Sequence, residues 1–541
     1  MKFVLARAIA TLACVSALSA CTKSADAPAQ KPTVTAAQAI SAAPLTQSSS
    51  INWIRTNAIA DIDAAFATAR SADKPVFLFW TAAWCPPCNH VKATIFTRDE
   101  FVAKSRAFVP VYIDGDTPSG QALGKRFNVS GYPTMVLLTP DGNEVTRLEG
   151  SVEPAKYMQL LDHGLAGGAS ARQLLASALA GKSLSAADWR LLAYYSWGTD
   201  DGQLVAEKDV APTLLKLARS CPPEQREASS RLLLQALGAA ATTKGEAKPN
   251  LDKADALASF NSVLARPELV REHYDQLAFA ADDIVGLVTT PKSAQRTQLI
   301  ETLNTAFDGL ANDNTLGNAG RIWATTGKVA VARVENKEGN LPAPLLDEVR
   351  AQALRVDTEI VDPIERQSVI YSAGSMLARA GLLDESDALM TRELKRSHSP
   401  YYYMLVLASN AKKRKTPAGN LAAIDWARQG YEAAVGPATR LEWGGAYVRY
   451  LIDLAPDDAA RIETSAAQVV GELRTEPGAF SGRSKRTLER LSGRLIAWNK
   501  NGRHDAALAR LNAQVAPICV PAAADAGDRA DCANLFKPAR A

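Results

Sequence analysis

Cys85 and Cys88, two thiols separated by two residues, are the pair whose spacing suits chemistry. A thiolate, not a thiol, attacks a disulfide, and an unperturbed cysteine of pKa ~8.5 is mostly protonated at neutral pH. The pair follows a short apolar and aromatic run, residues 75–81, and precedes a helical stretch reaching about Ile95. It therefore falls at a helix N-terminus, where free N–H groups and the positive end of the macrodipole stabilise negative charge. Two intervening residues place Cys88 one turn on, where its sulfur can close a ring with Cys85. Cys85 is thus expected to be the exposed nucleophile and Cys88 the buried resolving thiol. Pro86 and Pro87 suit the first helical turn but bring no N–H, leaving the Cys88 amide as the first to meet the thiolate.

Two other uses of the pair compete with that one. A structural zinc site needs two more ligands at proper spacing. The histidines His90, His163, His273, His398 and His504 lie far apart, and no second Cys-x-x-Cys occurs, so no metal is expected. The remaining alternative is a permanently oxidised structural disulfide.

The surrounding elements must hold such a pair in place. Residues 51–55 are a short strand candidate, and 60–72 carry apolar residues at helical spacing (Ile62, Ala65, Phe66, Ala69). The run 75–81 is brief and β-rich, which favours a central strand buried on both faces. Residues 108–114 read as a second buried strand, and 134–138 and 144–148 flank Pro140-Asp141-Gly142, a hairpin turn signal. An amphipathic helix over 153–165 closes the unit. Strands alternating with helices and a final hairpin describe an α/β sheet sandwiched by helices.

Trp84-Cys85-Pro86-Pro87-Cys88, followed by Gly131-Tyr132-Pro133-Thr134, resembles the thioredoxin superfamily over roughly residues 51–167. The resemblance implies that Pro133 is cis and packs against the disulfide. It also implies that the backbone of Tyr132 pairs with an extended client segment, and that Trp84 shields the thiols and offers an apolar contact surface. No cofactor is expected. One departure matters: many reducing members keep an acid on the central strand beneath the second cysteine, and Phe77-Leu78-Phe79-Trp80 is wholly apolar. Deprotonation of Cys88 then falls to water, His90, Asp114 or Asp116. As a cation His90 would favour the thiolate; the alternative is a solvated surface histidine.

The chain has 541 residues, with 61 Lys+Arg against 57 Asp+Glu and a formal net charge of +4. Such balance gives no reason to expect a nucleic-acid partner. Residues 1–20 have a basic start (Lys2, Arg7) and an apolar run from Ala8 to Ala20, too short for the ~20 apolar residues of a membrane-spanning helix. They read as a secretory signal, and Leu18-Ser19-Ala20-Cys21 resembles the lipobox of bacterial lipoproteins. That resemblance implies cleavage before Cys21, lipid on Cys21 and, with Thr22 next, the outer membrane. An ordinary cleaved signal is the alternative. Residues 21–50, rich in Ala, Ser, Thr, Pro and Gln, cannot bury enough surface to order and read as a disordered tether.

From residue 168 to 541 strand alternation nearly vanishes, and Ala- and Leu-rich helical segments are broken by Gly, Pro, Asn and Asp. This predicts a large α-solenoid-like region. The junctions around Gly381 and Gly502 resemble the glycine turns of tetratricopeptide repeats, in a degenerate form without a clean period. Its aromatics (Tyr401, Tyr402, Tyr403, Trp443, Tyr447, Tyr450) read first as inter-helix core and second as a client-binding face. Cys519 and Cys532 are expected to form a disulfide pinning the tail, with a second shuttle pair as the alternative, and Cys221 is left over. The leading expectation is a lipid-anchored periplasmic thiol–disulfide oxidoreductase whose helical region binds clients or partners. Its partners would be protein thiols and disulfides of the cell envelope and an upstream electron donor or acceptor. Reductase, oxidase and isomerase roles stay open. The alternative is a helical protein-interaction scaffold with a non-catalytic thioredoxin-like domain.

Overall fold

The computed structural model describes residues 51–537, apart from 57, 130, 244–248, 476–479, 481 and 523–525. The signal, the lipidated Cys21 and the tether expected over residues 1–50 lie outside the described residues.

The N-terminal part alternates as the sequence predicts: β1 (Ile54–Arg55), α1 (Ile59–Ala72), β2 (Val76–Thr81), α2 (Pro86–Thr94), α3 (Asp99–Lys104) and β3 (Val109–Asp114). It continues through α4 (Pro118–Arg126), β4 (Thr134–Leu138), β5 (Glu144–Leu148) and α5 (Pro154–Leu165). The strands form one mixed sheet in the order β1-β3-β2-β4-β5. β3 runs parallel to β1 and β2, while β4 is antiparallel to both β2 and β5. β2 is thus central and wholly buried. Its side chains alternate: Val76, Leu78 and Trp80 join Ile62, Phe66 and Leu123 of α1 and α4. Phe77 and Phe79 join α2 and α3, with Phe79 4.8 Å from Phe96 and Phe77 5.8 Å from Phe101 between ring centroids. Each such buried ring removes apolar surface worth ~1.5–3 kcal/mol from water. The short helices α3 and α4 carry too few turns for the sequence pattern to reveal them; Thr117 caps α4 by accepting from the Gly120 N–H at 3.0 Å.

The rest of the described chain is helical. It begins with α6 (Ala171–Leu179), α7 (Ala186–Ala193), α8 (Val210–Ser220), α9 (Arg226–Thr242), α10 (Lys253–Leu264) and α11 (Pro267–Glu272). Next come α12 (Tyr274–Val288), α13 (Ala294–Ala311), α14 (Asn318–Glu335), α15 (Ala343–Glu359), α16 (Pro363–Ala380) and α17 (Leu383–Glu393). It closes with α18 (Pro400–Lys413), α19 (Pro417–Ala433), α20 (Pro437–Leu454), α21 (Ala459–Glu472), α22 (Gly482–Trp498), α23 (Asp505–Ala522) and α24 (Ala526–Ala533). From α15 to α21 each helix packs on the next, which gives solenoid-like packing. Gly381, with φ of 92°, makes the left-handed turn between α16 and α17 that a side chain would strain. Cys519 and Cys532 are joined by a disulfide, and Cys221 is a buried free thiol pushed up to about 12, first by burial and then by Glu224. Among the described residues no helix is long and apolar enough to cross a membrane.

The helices do not stand apart from the sheet. One hydrophobic core runs from Phe77 and Phe79 through Trp84, Cys85 and Cys88 to Tyr401 and Trp443. A polar junction lies at the end of β5. Arg231 of α9 donates to both oxygens of Asp275 at 3.0 and 2.8 Å and also binds Glu149 just past β5. Ser151 donates to Asp275 at 3.1 Å, and Tyr274 to the Ser151 carbonyl at 3.0 Å.

Candidate active site

β2 ends in a turn, Ala82-Ala83, and delivers Trp84 and Cys85 to the start of α2. Cys85 is the N-cap: its sulfur accepts from the Cys88 N–H at 3.2 Å, the first amide left after the two prolines. Cys85 and Cys88 are joined as a disulfide with Cα atoms 5.2 Å apart. The Tyr132–Pro133 bond is cis. The Tyr132 hydroxyl donates to the Gly115 carbonyl at 3.0 Å and accepts from Gln121 at 2.7 Å. Only glycine fits at 115, because a Cβ there would lie 2.1 Å from that hydroxyl oxygen. Among the described residues no cluster of three or more His, Cys, Asp or Glu could hold a metal ion.

Cys85 is not the exposed nucleophile the sequence suggests: it is 2% exposed, and Cys88 is fully buried. The physical reason is the helical region, since α16 packs on α2 and α18 and α20 close over Trp84. Trp84 stacks on Tyr402 at 5.5 Å and meets Trp443 edge-on at 5.0 Å. Its indole N–H lies 2.9 Å from Asp116 and 2.7 Å from the Thr439 hydroxyl, and that hydroxyl also binds Asp116. Arg483 of α22 lies 5.2 Å from the Trp84 ring and pairs with Glu442 at 2.6 Å. His398 hydrogen-bonds the Ala83 carbonyl at 2.9 Å. So Trp84 meets helices rather than solvent in this structure.

The titratable neighbours are shifted by burial. His90 is pushed down to about 4 and lies 5.2 Å from Trp323, so it is neutral and supplies no cation to a thiolate. Asp116 is pushed up to about 7 by burial and then by Asp114, and Asp114 is itself raised by burial. Lys92, which the sequence reading passed over, lies one turn beyond Cys88. Burial pushes it down to about 8, and its Nζ is buried without a hydrogen-bond partner among the described residues. Its spacing, four residues after Cys88, was the available signal.

Tyr132 and Pro133 line, together with Pro86 and Pro87, a cavity of about 440 Å³ whose far side is built by α12, α14 and α16. Trp84 lines a separate cavity of about 320 Å³ with Tyr402 and Trp443. Thr439, His398, Arg483 and Trp323 carried no local signal, since each reaches the site from hundreds of residues away.

Residues 62–165 match the thioredoxin-like domain family. The chain is 31% identical over 113 residues to the thiol:disulfide interchange protein DsbD 1 of Pseudomonas aeruginosa, covering 20% of this chain and 19% of that protein. It is 35% identical over 95 residues to thioredoxin C-3 of Corynebacterium nephridii, covering 18% of this chain and 61% of the relative. It is 31% identical over 96 residues to thioredoxin H5 of Arabidopsis thaliana, covering 18% and 76% respectively. The chain thus spans about a fifth of the DsbD proteins it matches.

Proposed function

Since the chain belongs to the thioredoxin-like family through residues 62–165, we propose that it exchanges disulfides with protein cysteines of the cell envelope through Cys85 and Cys88. The observation that carries this is the Cys85–Cys88 disulfide at the N-terminus of α2, whose Pro86 and Pro87 line one cavity with Pro133. In the reducing direction the Cys85 thiolate attacks a client disulfide, forming a mixed disulfide and expelling one client thiolate, which takes up a proton. The Cys88 thiolate then attacks the Cys85 sulfur and expels the second client thiolate. Two electrons pass to the client, and the pair is left as the disulfide seen here; an upstream dithiol restores it. Run backwards, the same steps oxidise a client.

Lys2, Arg7, the apolar run 8–20 and Leu18-Ser19-Ala20-Cys21 support export and lipidation at Cys21, with residues 22–50 as tether. Tyr132 and Pro133 are the client-facing residues in this reading, and the helices beyond the cavity bind the client. The burial of Cys85 favours the competing reading, a scaffold whose disulfide is inert. Cys88→Ala decides between them. Lacking the resolving thiol, this variant is expected to accumulate mixed disulfides with envelope proteins that dithiothreitol releases, while Cys85→Ser accumulates none. Equal, empty traps from both variants would leave the scaffold.

A further inference from the structure

The cavity bordered by Pro86 and Pro87, the residues between the two cysteines, has two unlike walls. One is the motif itself, with Pro86 and Pro87 facing Tyr132 and Pro133. The other is contributed by the helical region and has no counterpart in the sheet domain: Trp323 of α14, Phe279 of α12 and one face of α16. Ser368, Ser372 and Ser375 recur on α16 at intervals of four and three, with Tyr371 among them, so they form a single stripe along that helix. Small side chains on that stripe leave room opposite the two prolines, although α16 packs on α2 nearby.

We propose that this cavity selects an extended, uncharged client segment that carries an apolar side chain next to its reacting cysteine. The inference rests on the exchange reading above and deepens it by naming the client class. Size agrees: about 440 Å³ falls in the range of ligand pockets, ~300–1,000 Å³. Charge agrees as well. The lining offers His90, which burial keeps neutral, and Glu149, whose carboxylate is already bound by Arg231 and Gln235. A charged carrier such as glutathione would lose hydration there and meet no free opposite charge. Apolar contact is available from Phe279, which is 58% exposed with its ring 5.2 Å from Trp323. The stripe supplies polar partners for an extended backbone: Ser372 donates to the Ser368 carbonyl, leaving its own lone pairs to accept N–H groups.

The test uses the full chain as reduced Cys88→Ala and three carriers, each joined through its cysteine to 5-thio-2-nitrobenzoate. The Cys85 thiolate attacks the carrier sulfur, the carrier–aryl bond breaks, and the electron pair leaves on the coloured aryl thiolate, whose release is read. An uncharged peptide with Phe beside its cysteine is expected to react about tenfold faster than the same peptide with Asp there, and faster than glutathione. Ser372→Leu, which fills the cavity, is expected to bring the Phe-to-Asp ratio towards one. Equal rates for all three carriers, or a ratio unmoved by Ser372→Leu, overturn the selection. A hydroxyethyl carrier separates the two levels. If it reacts while the peptides are not distinguished, selection fails and exchange stands; if Cys85 ignores every carrier, both fail.

Discussion

Arg231→Ala is expected to lower the unfolding free energy by about 3–5 kcal/mol, the cost of breaking a buried ion pair from one side. Arg231 is fully buried, holds Asp275 with two hydrogen bonds and Glu149 with another, and lies 4.2 Å above the Tyr194 ring. Burial alone would raise Asp275, but the guanidinium outweighs it and holds this carboxyl below the usual range. Burial raises Glu149, and Arg231 offsets that only in part. Without the arginine both carboxyls stay buried with only the neutral donors Ser151 and Gln235 and no guanidinium, so their folded-state pKa values rise. A buried acid with a raised folded pKa binds more protons folded than unfolded, so its penalty grows as pH rises. The deficit of the variant should therefore be largest near neutral pH and shrink towards pH ~4. Denaturant midpoints of the intact chain over that range check both the size and the sign. A deficit independent of pH would mean that packing, not charge, is what Arg231 supplies at the end of β5.

Trp443→Ala is expected to cost a similar ~3–5 kcal/mol, as for other buried tryptophans, and to change access to the disulfide. Trp443 is 1% exposed, donates to the Tyr401 carbonyl at 2.8 Å and covers Trp84 with Tyr402. Removing it opens a void over the residue before Cys85. If local opening limits reagent access, each ~1.4 kcal/mol taken from that opening raises the open population about tenfold. Reduced Cys85 should then alkylate at least about tenfold faster in the variant than in the parent chain, at the same fraction globally folded. Lost stability with unchanged alkylation would show that α18 and α20 do not govern access.

The sheet and the cysteine pair were legible because their signals are local. Continuous apolar runs at β2 and β3, the hairpin turn at Pro140-Asp141-Gly142 and the cap geometry of Cys85 all lie within a few residues of what they determine. The helices of the second part were legible as helices, and Tyr401 and Tyr403 fill the inter-helix core as periodicity suggests. What periodicity could not reveal is which aromatics of that core meet Trp84. Tyr402 and Trp443 meet Trp84, and Thr439 reaches the indole across 355 positions, so the cover on Cys85 is a property of chain return. The shift in His90 was hidden for the same reason: its burial against Trp323 removes the cationic role that its position five residues after Cys85 suggested. The serine stripe on α16 was present as a spacing, but only the opposite wall gives it meaning.

Exchange through Cys85 and Cys88 requires a disulfide that opens and closes in a buried setting. The most direct measurement equilibrates the full chain across a series of dithiothreitol buffers and traps free thiols with an alkylating agent, scoring Cys85 and Cys88 separately from Cys519 and Cys532. Cys85 and Cys88 are expected to titrate together as one two-electron couple between about −270 and −120 mV, the span of catalytic thioredoxin-fold pairs. A pair that stays oxidised below about −300 mV, as structural disulfides do, would contradict it.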